Sequence, residues 1–212
     1  MFKRLVFLGP PGVGKGTQAR RLAADFSLAH ISTGDILREV IKQNTPLAQR
    51  VRSYMESGTL VPDEVVLELL LERMSQPDVK EGYILDGYPR NIKQAYDLEK
   101  AGVAVEGVVY FYADEETLIK RISGRRTCRL CSRVYNIYYD PPTVDGRCEC
   151  GGELFQRSDD TEDVVRARLR EYRQKTSPLV QHYKERGVLC EVDASGTPDE
   201  VYEKLLRAIE AT

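Results

Sequence analysis

"GPPGVGKGT", residues 9–17 of a 212-residue chain, lies between a short apolar run (residues 3–9) and a stretch of helical composition, "GKGTQARRLAADFS". That setting, a strand feeding a helix through glycines, turns a string of residues into a mechanism. Glycines let backbone N–H groups converge on phosphate oxygens, and the helix N-terminus adds its partial positive charge. Lys15 is the side chain that reaches the β- and γ-phosphates of a nucleotide. The hydroxyl comes one residue later than in the general motif, at Thr17, because Gly16 follows the lysine.

Outward from this loop the chain repeats the same alternation. "GYILDGY" precedes "NIKQAYDLEKAG", "EGVVYFYA" precedes "DEETLIKRISGR", and "GVLCEVDA" precedes "TPDEVYEKLLRAIEA" (residues 197–211). Near-continuous apolar strands bounded by glycine, each followed by a helix, predict a parallel sheet covered on both faces. Residues 28–31 supply a short fifth strand. The last helix carries a full start signal, with Thr197 as N-cap, Pro198 at its first position and Glu200 closing a capping box. The fold class is a doubly wound α/β domain built on a phosphate loop, or P-loop. The third strand ends in Asp86, which sets a carboxylate beside the loop, able to hold Mg²⁺ through its waters.

Two stretches break the alternation. Residues 33–75 hold several helical patterns, and residues 124–160 hold four cysteines, an aromatic run and many turn residues. Both are expected to leave from the carboxyl ends of strands, where ligands bind in this architecture, and both are candidate substrate clamps.

Composition narrows the setting. Hydrophobic residues make up 42% and charged residues 30%, an ordinary globular balance, and the net charge of −2 offers no field to recruit nucleic acid or an anionic membrane. The start, "MFKRLVFLGPPG", imitates a secretion signal, yet its apolar run breaks at Gly9-Pro10-Pro11 and no longer one follows. A cytoplasmic protein is expected, and in a reducing compartment clustered cysteines favour a metal over disulfides.

The arginines point to more phosphate than one nucleotide carries. In "DTEDVVRARLREYRQKT", Val164, Arg168 and Tyr172 form one i, i+4 row beside Val165 and Leu169, so Arg168 faces inward. An inward arginine is costly unless it meets an anion, whether a ligand's or a structural carboxylate's. Arg121 and Arg125 share a second i, i+4 spacing at the mouth of the cysteine insertion, and Arg90 follows Pro89 just after the Asp86 strand. Phosphoryl transfer between two phosphate-bearing molecules is the predicted chemistry. His30 and His182 carry no mark of a catalytic base. A phosphate acceptor needs none, being largely dianionic at neutral pH, and this fits a nucleoside monophosphate. Asp86 stays open as a base.

With "GPPGVGKGTQ", "ISTGDILR", "LDGYPRNIKQA", "RISGRR" and "DDTEDVVRARLREY" in order along essentially its whole length, the chain resembles the adenylate kinase family, in its long-lid bacterial form with a zinc-binding lid. The resemblance implies the reaction ATP + AMP ⇌ 2 ADP with Mg²⁺, a role in nucleotide biosynthesis, a monomer and a sheet order of 2-3-1-4-5. It divides the chain into a core (1–31, 62–123 and 161–212), a helical AMP-binding insertion (32–61) and a lid (124–160). It gives ATP to Gly12, Val13, Gly14, Lys15, Gly16, Thr17, Arg125, Val134, Tyr135 and the backbone of Gly196. AMP falls to Thr33, Arg38, Thr59, Leu60, Val61, Gly87, Tyr88, Pro89, Arg90 and Gln94, with Arg157 and Arg168, and Gln94 reads the adenine. Catalysis is implied for Lys15, Arg90, Arg121, Arg125, Arg157 and Arg168, with Asp86. Loss of Arg90 or Arg125 is expected to hurt turnover far more than folding. A UMP/CMP kinase or a GTP:AMP phosphotransferase of the same fold is the near alternative.

Cys128, Cys131, Cys148 and Cys150 are spaced C-x2-C, sixteen residues, C-x-C. Four thiolates so spaced suit tetrahedral Zn²⁺, although the related lid pattern puts two residues between its last two ligands. Disulfides or a redox switch are the rival reading. A nucleic-acid-binding knuckle on a P-loop switch is the other: residues 121–157 carry seven Arg and four Asp or Glu, and zinc held by four thiolates would leave the segment only +1. The expected zinc is structural, holding as one rigid flap an insertion too small for its own core. Cys190 reads as a small core residue.

Overall fold

The computed structural model describes residues 2–210, so Met1, Ala211 and Thr212, which the expected core boundaries and last helix include, lie outside the described residues. The strands are β1 (Arg4–Leu8), β2 (Ala29–Ser32), β3 (Tyr83–Asp86), β4 (Gly107–Tyr112), β5 (Arg125–Cys128), β6 (Val134–Asn136), β7 (Leu154–Phe155) and β8 (Leu189–Asp193). Five pair in parallel in the order β2-β3-β1-β4-β8, which is 2-3-1-4-5 once the short strands of the cysteine segment are set aside. β1 is central, with Val6 beside Leu85 on one side and Val108 on the other.

Helices α1 (Lys15–Phe26), α2 (Thr33–Lys42), α3 (Pro46–Ser57), α4 (Asp63–Met74), α5 (Ile92–Lys100), α6 (Glu115–Ser123), α7 (Glu162–Glu171), α8 (Pro178–Glu185) and α9 (Pro198–Glu210) cover both faces. Side chains alternate along a strand, so β1 feeds two cores. Leu5 and Phe7 pack with Leu22 of α1 and Leu205 of α9, whereas Val6 and Leu8 pack with Leu98 of α5 and Leu179 of α8. Helix starts follow the sequence signals. Ser32, Thr45, Asn91 and Asp114 each accept a backbone N–H at an N-cap. Thr197 and Glu200 bond reciprocally, as the capping box requires. No helix of the described residues is long and apolar enough to cross a membrane.

The insertions depart from expectation in one respect. The helical stretch α2–α4 does leave the carboxyl end of β2. The cysteine segment instead begins where α6 ends, at Ser123, and returns into α7, folding as an antiparallel sheet of order β6-β5-β7. Because α6 stops at Ser123 and Arg125 opens β5, Arg121 and Arg125 do not form a helical row. Between α7 and α8 the chain makes a π-helical turn, Tyr172–Thr176, and Thr176 Oγ1 donates to the Arg90 carbonyl at 2.7 Å. That bond ties the end of the inward-arginine helix to the segment after β3.

Candidate active site

The loop after β1 is shaped by positive φ angles, +83° at Gly12 and +100° at Gly14. A Cβ on Gly12 would stand 2.5 Å from Ile122 Cγ1, so α6 packs against the loop where only hydrogen fits. Lys15, the first residue of α1, donates from Nζ to the carbonyls of Gly9 at 2.7 Å and Pro10 at 2.9 Å. Burial pulls its pKa down to about 8; Asp86 opposes that, and Arg90, Arg168 and Arg125 add to it. Asp86 ends β3 level with Phe7 of β1. His30 Nε2 lies 3.3 Å from its Oδ2. Burial alone would raise Asp86, but the His30 hydrogen bond and the Lys15 charge outweigh it and hold the carboxyl below its ordinary range. An ionised, water-poor carboxylate beside a phosphate loop has the donor chemistry a hard cation such as Mg²⁺ takes.

One continuous cleft of about 360 Å³, within the range of nucleotide-sized sites, brings together Gly12–Thr17, Asp86, Arg90, Arg121, Arg125, Val134, Tyr135, Arg157, Arg168 and Gly196. A smaller recess of about 60 Å³ opens beside it, lined by Thr33, Arg38, Thr59, Leu60, Val61, Gly87, Gln94 and again Arg90 and Arg168. Pro89 lines the larger cleft. Tyr88 is the exception among the residues expected to bind nucleotide. Its side chain is 1% exposed and packs in the core under α5 and α8, lining neither space.

Burial and mutual repulsion load the arginines. Arg90 is pulled down to about 10, first by burial and then by Arg168. Arg157 is pulled down to about 9, by burial and then Arg125. Two carboxylates where the cysteine segment returns to α7 balance them. Asp160, 0% exposed, takes a bidentate bond from Arg125, and Asp159 accepts from Arg168 at 2.9 Å. Burial disfavours the Arg125 charge, yet its bond to Asp160 raises the pKa above the ordinary value. Arg121 stands apart: it donates to the carbonyls of Ala194 at 2.8 Å and Gly196 at 3.0 Å, at the end of the cleft formed by β8 and α9. Gln94 accepts from the Arg90 N–H at 2.6 Å and donates to Asp63 at 2.7 Å.

The four clustered cysteines are unbridged, and their sulfurs all lie within 4.8 Å of one another. Cys128 to Cys150 and Cys131 to Cys148 are each 3.5 Å, and Cys150 to Cys131 is 3.4 Å. Four thiolates about 2.3 Å from a central zinc stand about 3.8 Å apart at the tetrahedral edge, so the cluster fits that metal. The C-x-C pair closes in spite of its missing residue. Gly152 allows this, since a Cβ there would stand 2.5 Å from Cys128 Sγ.

Sequence reasoning passed over three of the site's side chains and gave a fourth, His30, no catalytic part. His30 braces Asp86, Asp159 and Asp160 hold the arginines, and Gln18, on α1, donates to the Pro198 carbonyl at 2.9 Å. The pair "DD" sat inside a quoted motif, and only inward arginines demanding an anion could have drawn attention to it.

Fold and cleft together define a phosphate-loop protein of the nucleotide-binding class with two insertions, one helical and one carrying four cysteines. A family model for adenylate kinase matches residues 7–188. A curated adenylate kinase of Thermodesulfovibrio yellowstonii is 46% identical over 212 residues, covering 98% of this chain and 99% of its own. One of Fervidobacterium nodosum is 48% identical over 210 residues, covering 97% and 96%. An archaeal adenylate kinase, of Archaeoglobus fulgidus, is 44% identical over 211 residues, covering 97% of each chain. The chain belongs to the adenylate kinase family.

Proposed function

We propose that the chain transfers the terminal phosphoryl group of ATP to AMP, reversibly, to give two ADP. The observation that carries this is one cluster of half-buried cations: Lys15, Arg125 and Arg157 line the large cleft at the phosphate loop, and Arg90 and Arg168 line both that cleft and a recess in the helical insertion. One nucleotide does not need two such chambers. In this reading the backbone from Gly12 to Thr17 and Lys15 hold the donor phosphates, and Val134, Tyr135 and Gly196 flank its nucleoside. Thr33, Arg38, the segment 59–61, Gly87 and Gln94 receive the acceptor. The core is 1–31, 62–123 and 161–212, the acceptor insertion 32–61 and the lid 124–160.

Catalysis then rests on positioning and charge. A metaphosphate-like transition state spreads negative charge over its equatorial oxygens, and the guanidinium groups of Arg90, Arg125, Arg157 and Arg168 neutralise it. Magnesium brought with ATP supplies the remaining neutralisation, and Asp86 is the residue that would hold its waters. Asp86, held below its ordinary range, is a poor base, and neither histidine lines the clefts among the described residues. A phosphate acceptor makes a base unnecessary. Zinc in the four-cysteine site would keep the lid rigid, so that water is excluded from the reacting phosphoryl group. A cytoplasmic monomer completes the reading, by likeness to the family. The test is phosphorus NMR of protein with Mg·ATP and AMP. Appearance of ADP, and of ATP and AMP when ADP alone is supplied, supports the proposal; orthophosphate as the product in place of ADP-to-ADP exchange overturns it.

A further inference from the structure

The shortened C-x-C pair has a brace. Tyr135, in β6, is 3% exposed and packs with Cys128, Cys148 and Leu154 in the small buried cluster of the lid. Its Oη lies 3.3 Å from Cys148 Sγ and accepts the Glu149 N–H, also at 3.3 Å. Cys148 as a zinc ligand would be a thiolate with no proton to give, so with the amide already pointing at the oxygen, the phenol hydrogen would then go to sulfur. Glu149 is the single spacer between Cys148 and Cys150, and one hydroxyl therefore holds both a thiolate and the residue that sets the tight bite. On the ring's other side the Arg133 guanidinium sits 5.0 Å from its centroid, and Arg133 also bonds Glu149. Tyr135 itself lines the large cleft, and its backbone pairs with Arg126, next to Arg125.

We propose that Tyr135 is a positioning residue which, through its phenol bond to Cys148, ties the lid's metal knuckle to the strand that borders the donor nucleotide. The inference rests on the zinc and donor-site readings above. Outer hydrogen bonds to a ligand atom fix its orientation, and losing one typically weakens metal affinity by about 10–100-fold. Tyr135 has the further property that any shift of its hydroxyl end is delivered through one rigid ring to β6 and, across the ladder, to Arg125. Metal affinity and donor binding should therefore move together.

The experiment uses the full chain loaded with one Zn²⁺, in parent, Tyr135→Phe and Arg133→Ala forms. Phenylalanine keeps the ring and its packing and removes only the hydroxyl. Competition with a chromogenic chelator should show Tyr135→Phe holding zinc about 10–100-fold more weakly. With Co²⁺ in place of zinc, the thiolate-to-metal charge-transfer band should move to lower energy, because a sulfur that loses a hydrogen bond holds its electrons less tightly. The KM for ATP should rise more than kcat falls. Arg133→Ala, which keeps the phenol, should leave the cobalt band in place. Tyr135→Phe with parental zinc affinity and an unmoved band overturns the proposal. A parent that takes up neither zinc nor cobalt overturns the metal reading first, and a loaded parent that transfers no phosphoryl group overturns the donor-site reading instead; the three failures are distinct.

Discussion

Arg90 and Arg125 read alike in the sequence and differ in the fold. Arg90 bonds a backbone carbonyl, that of Gly87, at 2.7 Å, so its loss strands no buried charge. Arg90→Ala should cut turnover by about 10³-fold or more with little change in melting temperature. Arg125 is the hydrogen-bonded partner of Asp160, which is wholly buried and has only the more distant Arg168, at 3.6 Å, as a second cation. Arg125→Ala should lose activity similarly and also destabilise the fold by about 3 kcal/mol, the order seen when a buried pair loses one partner. Adding Asp160→Asn should restore the stability and leave the activity lost, and thermal melts with initial rates on the three variants check this. The sequence treats the two arginines alike, and the fold gives Arg125 a structural partner that Arg90 lacks. An ion-pair partner thirty-five residues away enters view only when the cysteine segment folds back onto α7. Lys15 gives a prediction with a sign. Its depressed pKa of about 8 belongs to the protein before an anionic donor arrives, and only the charged form holds phosphate. kcat/KM for ATP should therefore fall as pH rises through about 8, whereas kcat, which reports the bound state, holds to higher pH. Coincident limbs in both profiles would contradict this account.

At the scale of elements, local chemistry was the legible part. The strand-glycine-helix junction at residues 9–17, the capping box at Thr197 and Glu200, and the inward row on α7 all appear where their residue types require. What the sequence could not disclose was where elements stop in space. Spacing four apart made Arg121 and Arg125 look like one face of a helix, but α6 ends at Ser123 and a strand begins. Four lid cysteines were visible, yet the closing of a one-residue bite depends on Gly152 facing Cys128. Gly152→Ala should therefore lower zinc content and open residues 124–160 to protease while the core melts as before. Stripping the metal from the parent with chelator should give the same cleavage pattern and a raised KM for ATP. Unchanged cleavage after complete metal loss would show that the lid does not need it.

For the whole molecule, the alternation of apolar runs and helices was enough to set a covered parallel sheet, whereas the order β2-β3-β1-β4-β8 followed from family likeness, since spacing carries no record of which strand lies beside which. That order puts β1 between β3 and β4, and so brings the phosphate loop, Asp86 and the start of α6 to one edge of the sheet. Core and cleft should be separable by mutation. Leu22→Ala, at a wholly buried site under α1, should cost about 2–5 kcal/mol in denaturant titration with kcat nearly intact. The central claim is that two nucleotides meet over one cationic cluster with water excluded. Its most direct test offers Mg·ATP and the purified protein AMP, CMP, UMP, GMP or no acceptor, and follows ADP formation. Rapid turnover with AMP, weak turnover with the others and little hydrolysis alone is the predicted result. Efficient hydrolysis without acceptor, or no transfer to any of them, would contradict it.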